Sequence, residues 1–291
     1  MNIFKGTGVA LVTPFNTDFS IDFEGLKKLV QLQIESGINF LVVQGTTGES
    51  PTLSQEEKKQ VLETVIAVNG GRLPIVYGVG GNDTLKVAEA IRQVPKGVDG
   101  ILSVSPYYNK PTQEGIYQHY KYIAEATDLP IILYNVPGRT GSNVTAETTL
   151  RLAEIPNIVA MKEASGNLEQ IMDIIRQKPV GFGLLSGDDA LTFPMIALGG
   201  EGVISVVAQA FPEKFSKMVN AAMEGNYDIA RSLHYDMIPV TKMFFQEGNP
   251  GGVKVALEYR KLMSQVMRRP LIQVSKALAS EIVQETERLL K

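Results

Sequence analysis

Between residue 9 and Gly225 the chain alternates short apolar runs with amphipathic stretches, and it does so eight times. The strand-like runs fall at 9–14, 40–44, 74–79, 100–105, 130–136, 158–163, 181–186 and 202–208. The stretches between them repeat apolar residues at helical spacing; within 22–36 these are Phe23, Leu26, Leu29, Val30 and Ile34. Helix starts are marked by side chains that accept from the first free N–H groups. Ser54 with Glu57 three residues on makes a capping box, and Asn82-Asp83-Thr84, Thr112, Thr145 and Asn167 are further starts. Two more fall near Asp189 and Phe211-Pro212.

Strands joined through helices by short connections build a parallel sheet covered by those helices. Eight such units predict a (β/α)8 TIM barrel. An open doubly wound sheet is the alternative, and it usually carries Gly-x-Gly-x-x-Gly after its first strand. Here Gly78-Val79-Gly80-Gly81 lacks the third glycine and follows the third strand, so it reads as a tight turn. Beyond Gly225 no strand-like run occurs. Residues 226–291 read as wholly helical, most clearly through Ala277, Leu278, Ile282, Val283 and Leu289. No Pro/Gly/Ser linker precedes them, so a C-terminal helical region, 226–291, is expected to pack on a barrel formed by 1–225. Asn249-Pro250-Gly251-Gly252 is a turn within it.

Composition removes several functions. A net charge of -3 gives no basic footprint for nucleic acid or an anionic membrane. No apolar run is long enough to span a bilayer, and the opening residues 1–6 lack a secretion signal's pattern, so a cytoplasmic protein is expected. Cysteine is absent, which excludes disulfides and thiolate chemistry. The only histidines, His119 and His234, lie far apart in helical patterns and read as packing or surface residues. With so few, a metal or other cofactor is not expected, and a lysine-based route is the more economical chemistry.

In a barrel of this kind the reactive groups stand at the carboxyl ends of the strands and in the loops that follow. The sixth run, Ile-Val-Ala-Met-Lys-Glu, brings Lys162 there. Apolar surroundings strip hydration from an ammonium and favour the free amine, the form that attacks a carbonyl to give a Schiff base. A lysine snorkelling from the strand end into water is the alternative. Tyr134 ends the neighbouring fifth strand; its phenol can move protons, or serve only as a packed residue with a wet hydroxyl. Gly45-Thr46-Thr47-Gly48 gathers two hydroxyls and several N–H groups, a nest for a carboxylate or simply a glycine turn. Arg139 follows a Pro-Gly turn and is either a carboxylate clamp or a solvated arginine. Tyr107-Tyr108 is a lid, an oligomer contact or packing. Ser186-Gly187-Asp188-Asp189 and Gly202-Val203-Ile204-Ser205 border the same mouth. Glu49, Glu163 and Asp188 offer carboxylates that capping or supporting hydrogen bonds would equally explain.

Three longer motifs, Gly45-Thr46-Thr47-Gly48-Glu49, Tyr134-Asn135-Val136-Pro137-x-Arg139-Thr140-Gly141 and Lys162-Glu163-Ala164-Ser165-Gly166-Asn167, resemble the signatures of the dihydrodipicolinate synthase family. That family lies within the pyruvate-dependent class I aldolases, and the resemblance runs nearly the whole length. It implies that Lys162 forms a Schiff base with pyruvate, and that the derived enamine attacks L-aspartate 4-semialdehyde. Cyclisation to 4-hydroxy-tetrahydrodipicolinate follows, on the route to diaminopimelate and lysine. It further implies that Tyr134, Thr46 and Tyr108 form a proton relay, and that Thr47 and the backbone at Ile204 hold pyruvate's carboxylate. Gly187 would border pyruvate, and Arg139 would meet the semialdehyde's carboxylate. In the family the relay's second tyrosine crosses from a neighbouring subunit, which implies a homo-oligomer, usually a tetramer. A sugar-acid lyase of the same superfamily, such as an N-acetylneuraminate lyase, is the alternative that Arg139 argues against. A keto-acid sensor without catalysis is the other. Where lysine-inhibited members carry histidines and a glutamate, this chain has Gln55, Lys58 and Lys86. Two cations would repel a cationic effector, so no inhibition by L-lysine is expected.

Overall fold

The computed structural model describes residues 3–291; Met1 and Asn2, part of the opening segment read above as no secretion signal, lie outside the described residues. Eight parallel strands close into a barrel in sequence order. They are β1 (Gly6–Ala10), β2 (Phe40–Val43), β3 (Ile75–Gly78), β4 (Gly100–Val104), β5 (Ile131–Asn135), β6 (Ile158–Glu163), β7 (Gly183–Ser186) and β8 (Gly202–Ser205). Closure pairs Gly6 with Gly202. The backbones meet so closely there that a Cβ on Gly202 would lie 2.1 Å from the Gly6 carbonyl oxygen. Only glycine fits that seam.

The helices are α1 (Phe23–Glu35), α2 (Gln55–Asn69), α3 (Thr84–Arg92), α4 (Gln113–Ala124), the single turn α5 (Pro137–Thr140), α6 (Ala146–Ala153), α7 (Leu168–Gln177), α8 (Thr192–Ala197), α9 (Pro212–Met223), α10 (Tyr227–Gln246), α11 (Gly251–Tyr259) and α12 (Lys276–Leu290). Caps decide where most of them begin. Asp22, Asp83, Thr112, Thr145, Asn167 and Ser275 each accept from an N–H of the first turn, and Ser54 with Glu57 closes the reciprocal capping box.

Two strand ends differ from the sequence reading. The first strand begins at Gly6 and stops at Ala10, so 11–14 is a buried loop rather than strand. The Val12 N–H donates to the Gln209 side chain, and Pro14 has no N–H for a ladder. The eighth stops at Ser205 because the Asp189 carboxylate takes the N–H groups of Val206 and Val207 and turns the chain into a short helical turn, Val207–Gln209. The C-terminal part is not wholly helical either. Residues 260–275 run without helix between α11 and α12, partly because Pro270 disfavours helix at the residue before it.

Inside the barrel pack Ala10, Phe40, Val42, Val76, Leu102, Ile132, Tyr134, Ala160, Leu185 and Ile204, with Phe4 edge-on to Phe40 at the amino end. Outside, one apolar shell joins β1 and β2 to α1, α2 and α9 through α12; a second covers β4 to β7 with α3, α4, α6 and α7. The helices after Tyr227 thus share their core with the first strands. Among the described residues no helix is long and apolar enough to cross a membrane.

Candidate active site

Strand alternation sorts the residues at the carboxyl mouth. On β6, Lys162 turns inward and Glu163 outward. Tyr134, Lys162 and Leu185 stand side by side in register across β5, β6 and β7. Lys162 and Tyr134 are each 6% exposed, and Nζ lies 4.2 Å from the centre of the tyrosine ring. In its charged form a lysine nitrogen over a π face gains some electrostatic stabilisation from the ring. Gly187, on the turn after β7, makes room for it: a Cβ there would come 3.1 Å from both Cγ and Cε of Lys162 and 2.7 Å from the Ala164 Cβ. The Gly187 N–H donates to the Glu163 carbonyl at 2.7 Å, so the turn is tied to the strand that bears the amine.

The outward carboxylate of Glu163 supports the site and does not join it. It accepts from Asn135 Nδ2 (3.0 and 3.2 Å), the Ser165 N–H (2.6 Å) and Gln170 Nε2 (3.0 Å). Asn135 also bonds Asn143 and accepts from the Val144 N–H, so the ends of β5 and β6 are locked by one buried network. Asp188 caps the turn that follows β7. Asp189 holds the end of β8, accepting from Ser205 Oγ at 2.5 Å; burial pushes its carboxyl up to about 6. Ile204, one residue earlier, is buried in the barrel interior.

Thr46 and Thr47 open a short helical turn, Thr46–Gly48, flanked by Gln44 and Glu49 in left-handed backbone. Thr46 is half-buried at the edge of a cavity of about 590 Å³. That cavity reaches Tyr134 and Tyr107 but extends away from Lys162, between α2 and α3. Gln55 and Lys58 line it, whereas Lys86 lies outside it and pairs with Asp83 at 3.5 Å. Thr47 is buried, and its Oγ1 accepts from Asn249 Nδ2 at 3.0 Å. Glu49 is fully buried in an ion pair with Lys254 at 2.5 Å and accepts the Arg268 N–H at 3.0 Å. Arg268 also spans to Glu57, which holds that carboxyl down to about 2.

Two expected members stand apart. Arg139 sits exposed on α5, its guanidinium without an ion pair among the described residues. Tyr108 has left-handed backbone and is 88% exposed, so within one chain its phenol is not part of the buried group. His119 is buried with Nδ1 2.9 Å from Thr84 Oγ1, and burial lowers it to about 4; His234 is lowered by burial too. Both are packing residues, and neither lines the cavity that reaches Tyr134.

Sequence reasoning missed Asn249, Lys254 and Arg268. Lys254 carried a signal, a lone lysine within the otherwise apolar Gly251-Gly252-Val253-Lys254-Val255-Ala256-Leu257, as Lys162 is on β6. Its partner, Glu49, lies 205 residues away, beyond the reach of any local pattern.

A closed (β/α)8 barrel with a buried amine against a phenol at its carboxyl mouth has the form of an enzyme that works on carbonyl compounds through a lysine. Comparison with known proteins makes this specific: the chain belongs to the dihydrodipicolinate synthetase family, whose model matches residues 3–289. The 4-hydroxy-tetrahydrodipicolinate synthase of Parabacteroides distasonis is 54% identical over 92% of this chain and 91% of its own. That of Flavobacterium psychrophilum is 50% identical over the whole of both. Among solved structures, the chloride-inhibited dihydrodipicolinate synthase of Acinetobacter baumannii, complexed with pyruvate, is 40% identical, with a TM-score of 0.96 over 99% of each chain.

Proposed function

We propose that this protein is a lyase that condenses pyruvate with L-aspartate 4-semialdehyde to 4-hydroxy-tetrahydrodipicolinate, and that Lys162 carries the reaction. The observation that supports the assignment of Lys162 is its placement, buried, inward and 4.2 Å from the Tyr134 ring. The amine adds to the keto carbon of pyruvate, the carbinolamine loses water, and the imine loses a methyl proton to become an enamine. The enamine carbon attacks the aldehyde. The semialdehyde's own amine then displaces Lys162 from the imine carbon, closing the ring and freeing the enzyme.

Each proton in that sequence needs a carrier, and Tyr134 is the one within the barrel. Thr46 at the cavity edge and Tyr108 complete the relay. Because Tyr108 is exposed in its own chain, it serves the site of a second copy, and we place the protein in a homo-oligomer, a tetramer by resemblance. Thr47 and the backbone at Ile204 hold pyruvate's carboxylate beside Gly187, and the exposed Arg139 awaits the carboxylate of the semialdehyde. Only groups of the protein itself are used, with no cofactor, and the cytoplasm is the proposed location. Insensitivity to L-lysine rests on Lys58, which together with Lys59 lines the cavity beside Thr46.

Turnover assays separate this reading from that of a sugar-acid lyase. Pyruvate with L-aspartate 4-semialdehyde should be consumed rapidly and pyruvate with N-acetylmannosamine hardly at all. The reverse preference would overturn the assignment.

A further inference from the structure

Asn249 lies in the connection between α10 and α11, 202 residues from Thr47 in sequence, and both are buried. Its Nδ2 donates to Thr47 Oγ1, and its own Oδ1 has no hydrogen-bond partner among the described residues. The side chain therefore makes one polar contact, and that contact is to a hydroxyl at the mouth. A hydroxyl has one proton and two lone pairs, whereas an amide N–H can only donate. The Asn249 amide therefore occupies a lone pair of Oγ1 and leaves the hydroxyl proton for some other acceptor. Thr47 Oγ1 donates to no group among the described residues. The loop around it is held from several sides. Thr13 Oγ1 donates to the Gly48 carbonyl at 2.7 Å, and Glu49 is gripped by Lys254 and by the Arg268 N–H.

We infer that Asn249 is a positioning residue for the reaction, which sets the polarity of Thr47 so that its hydroxyl is a donor to the substrate's carboxylate. The inference rests on the reading that Thr47 holds that carboxylate. A carboxylate accepts and never donates, so a threonine free to turn its proton elsewhere is a poorer ligand for it. Asn249 removes that freedom from the far side of the loop. The C-terminal region thereby acts in pyruvate recognition without touching pyruvate.

Three variants of the full-length protein test this, with KM for pyruvate, kcat, calorimetric pyruvate affinity and melting temperature measured for each. Asn249→Asp presents an acceptor that takes the Thr47 proton, and Asn249→Ala releases the hydroxyl to rotate. KM for pyruvate should rise about tenfold or more in Asn249→Asp and by less in Asn249→Ala, as for loss of a hydrogen bond to a charged group, with kcat little changed. In the Thr47→Val background Asn249→Asp should add no further rise. A rise that persists there would come from plain charge repulsion and would overturn the proposal. If Asn249→Asp does not fold, Asn249→Ala decides: a lowered melting temperature with unchanged pyruvate KM would mean a structural tie only, and would overturn it too. If Thr47→Val alone leaves the pyruvate KM unaltered, the carboxylate assignment to Thr47 fails, and this inference falls with it.

Discussion

A single methyl group at position 187 would reach the shaft of Lys162, with contacts of 3.1 Å to its Cγ and Cε and 2.7 Å to Ala164. Separations that short do not persist, so the amine or the turn must move. Gly187→Ala should therefore slow imine formation by about 100-fold, the effect expected of a displacement near 1 Å, while the barrel still folds. Single-turnover trapping with pyruvate measures it, and an unchanged rate would mean that the amine has room the packing does not show. Lys162 and Tyr134 were legible in the sequence because a charged or polar residue ending an apolar strand stands out. The same scan named Arg139 and Tyr108, which the chain alone leaves in solvent. Exposure depends on which other chains are present, and no local pattern encodes that.

At the scale of elements, the ends of strands and the contacts between distant loops carried most of what the sequence hid. Caps such as Asp22, Ser54 and Thr145 were readable because the capping residue is a neighbour of the helix it starts. The end of β8 was not, because the group that stops it is the Asp189 carboxylate from the turn after β7. The Glu49–Lys254 pair belongs to the same class: it pins the turn after β2 to α11. Desolvation pulls Lys254 down, and Glu49 opposes that pull. Removing one member leaves a buried charge, so Lys254→Met should destabilise by about 3–5 kcal/mol, and adding Glu49→Gln should recover much of the loss. Denaturant melts of the four proteins in that cycle decide, and strictly additive losses would argue that the two charges do not act as a pair.

His119 on α4 sets a second test. Its folded value, about 4, lies below the ordinary 6.5, so as pH falls the unfolded chain takes up the proton first. The stability that neutral His119 contributes is therefore complete above 6.5 and is lost as pH falls from 6.5 through 4, by up to about 3 kcal/mol. His119→Gln should melt with a shallower dependence on pH across that window. A parallel slope would show that the imidazole titrates normally in the fold.

For the whole molecule, the eightfold rhythm alone was enough to predict the barrel, since crossover helices leave a parallel sheet few ways to close. Assembly is a separate matter. If Tyr108 serves a neighbouring subunit, then Lys162→Ala and Tyr108→Phe, each nearly inactive alone, should regain activity when denatured together and refolded as mixed oligomers. Each mixed pair would then hold one site with an intact lysine and an intact incoming tyrosine. No recovery in mixtures shown to be mixed would place Tyr108 in its own chain's site or outside the chemistry.

The account depends most on the buried amine opposite Tyr134 being the group that captures pyruvate. Borohydride reduction of the protein in pyruvate, followed by peptide mapping, reads this directly. The account predicts one stable adduct per chain, on Lys162, lost in Lys162→Ala. An adduct on another lysine, such as Lys254, or none at all, would contradict it.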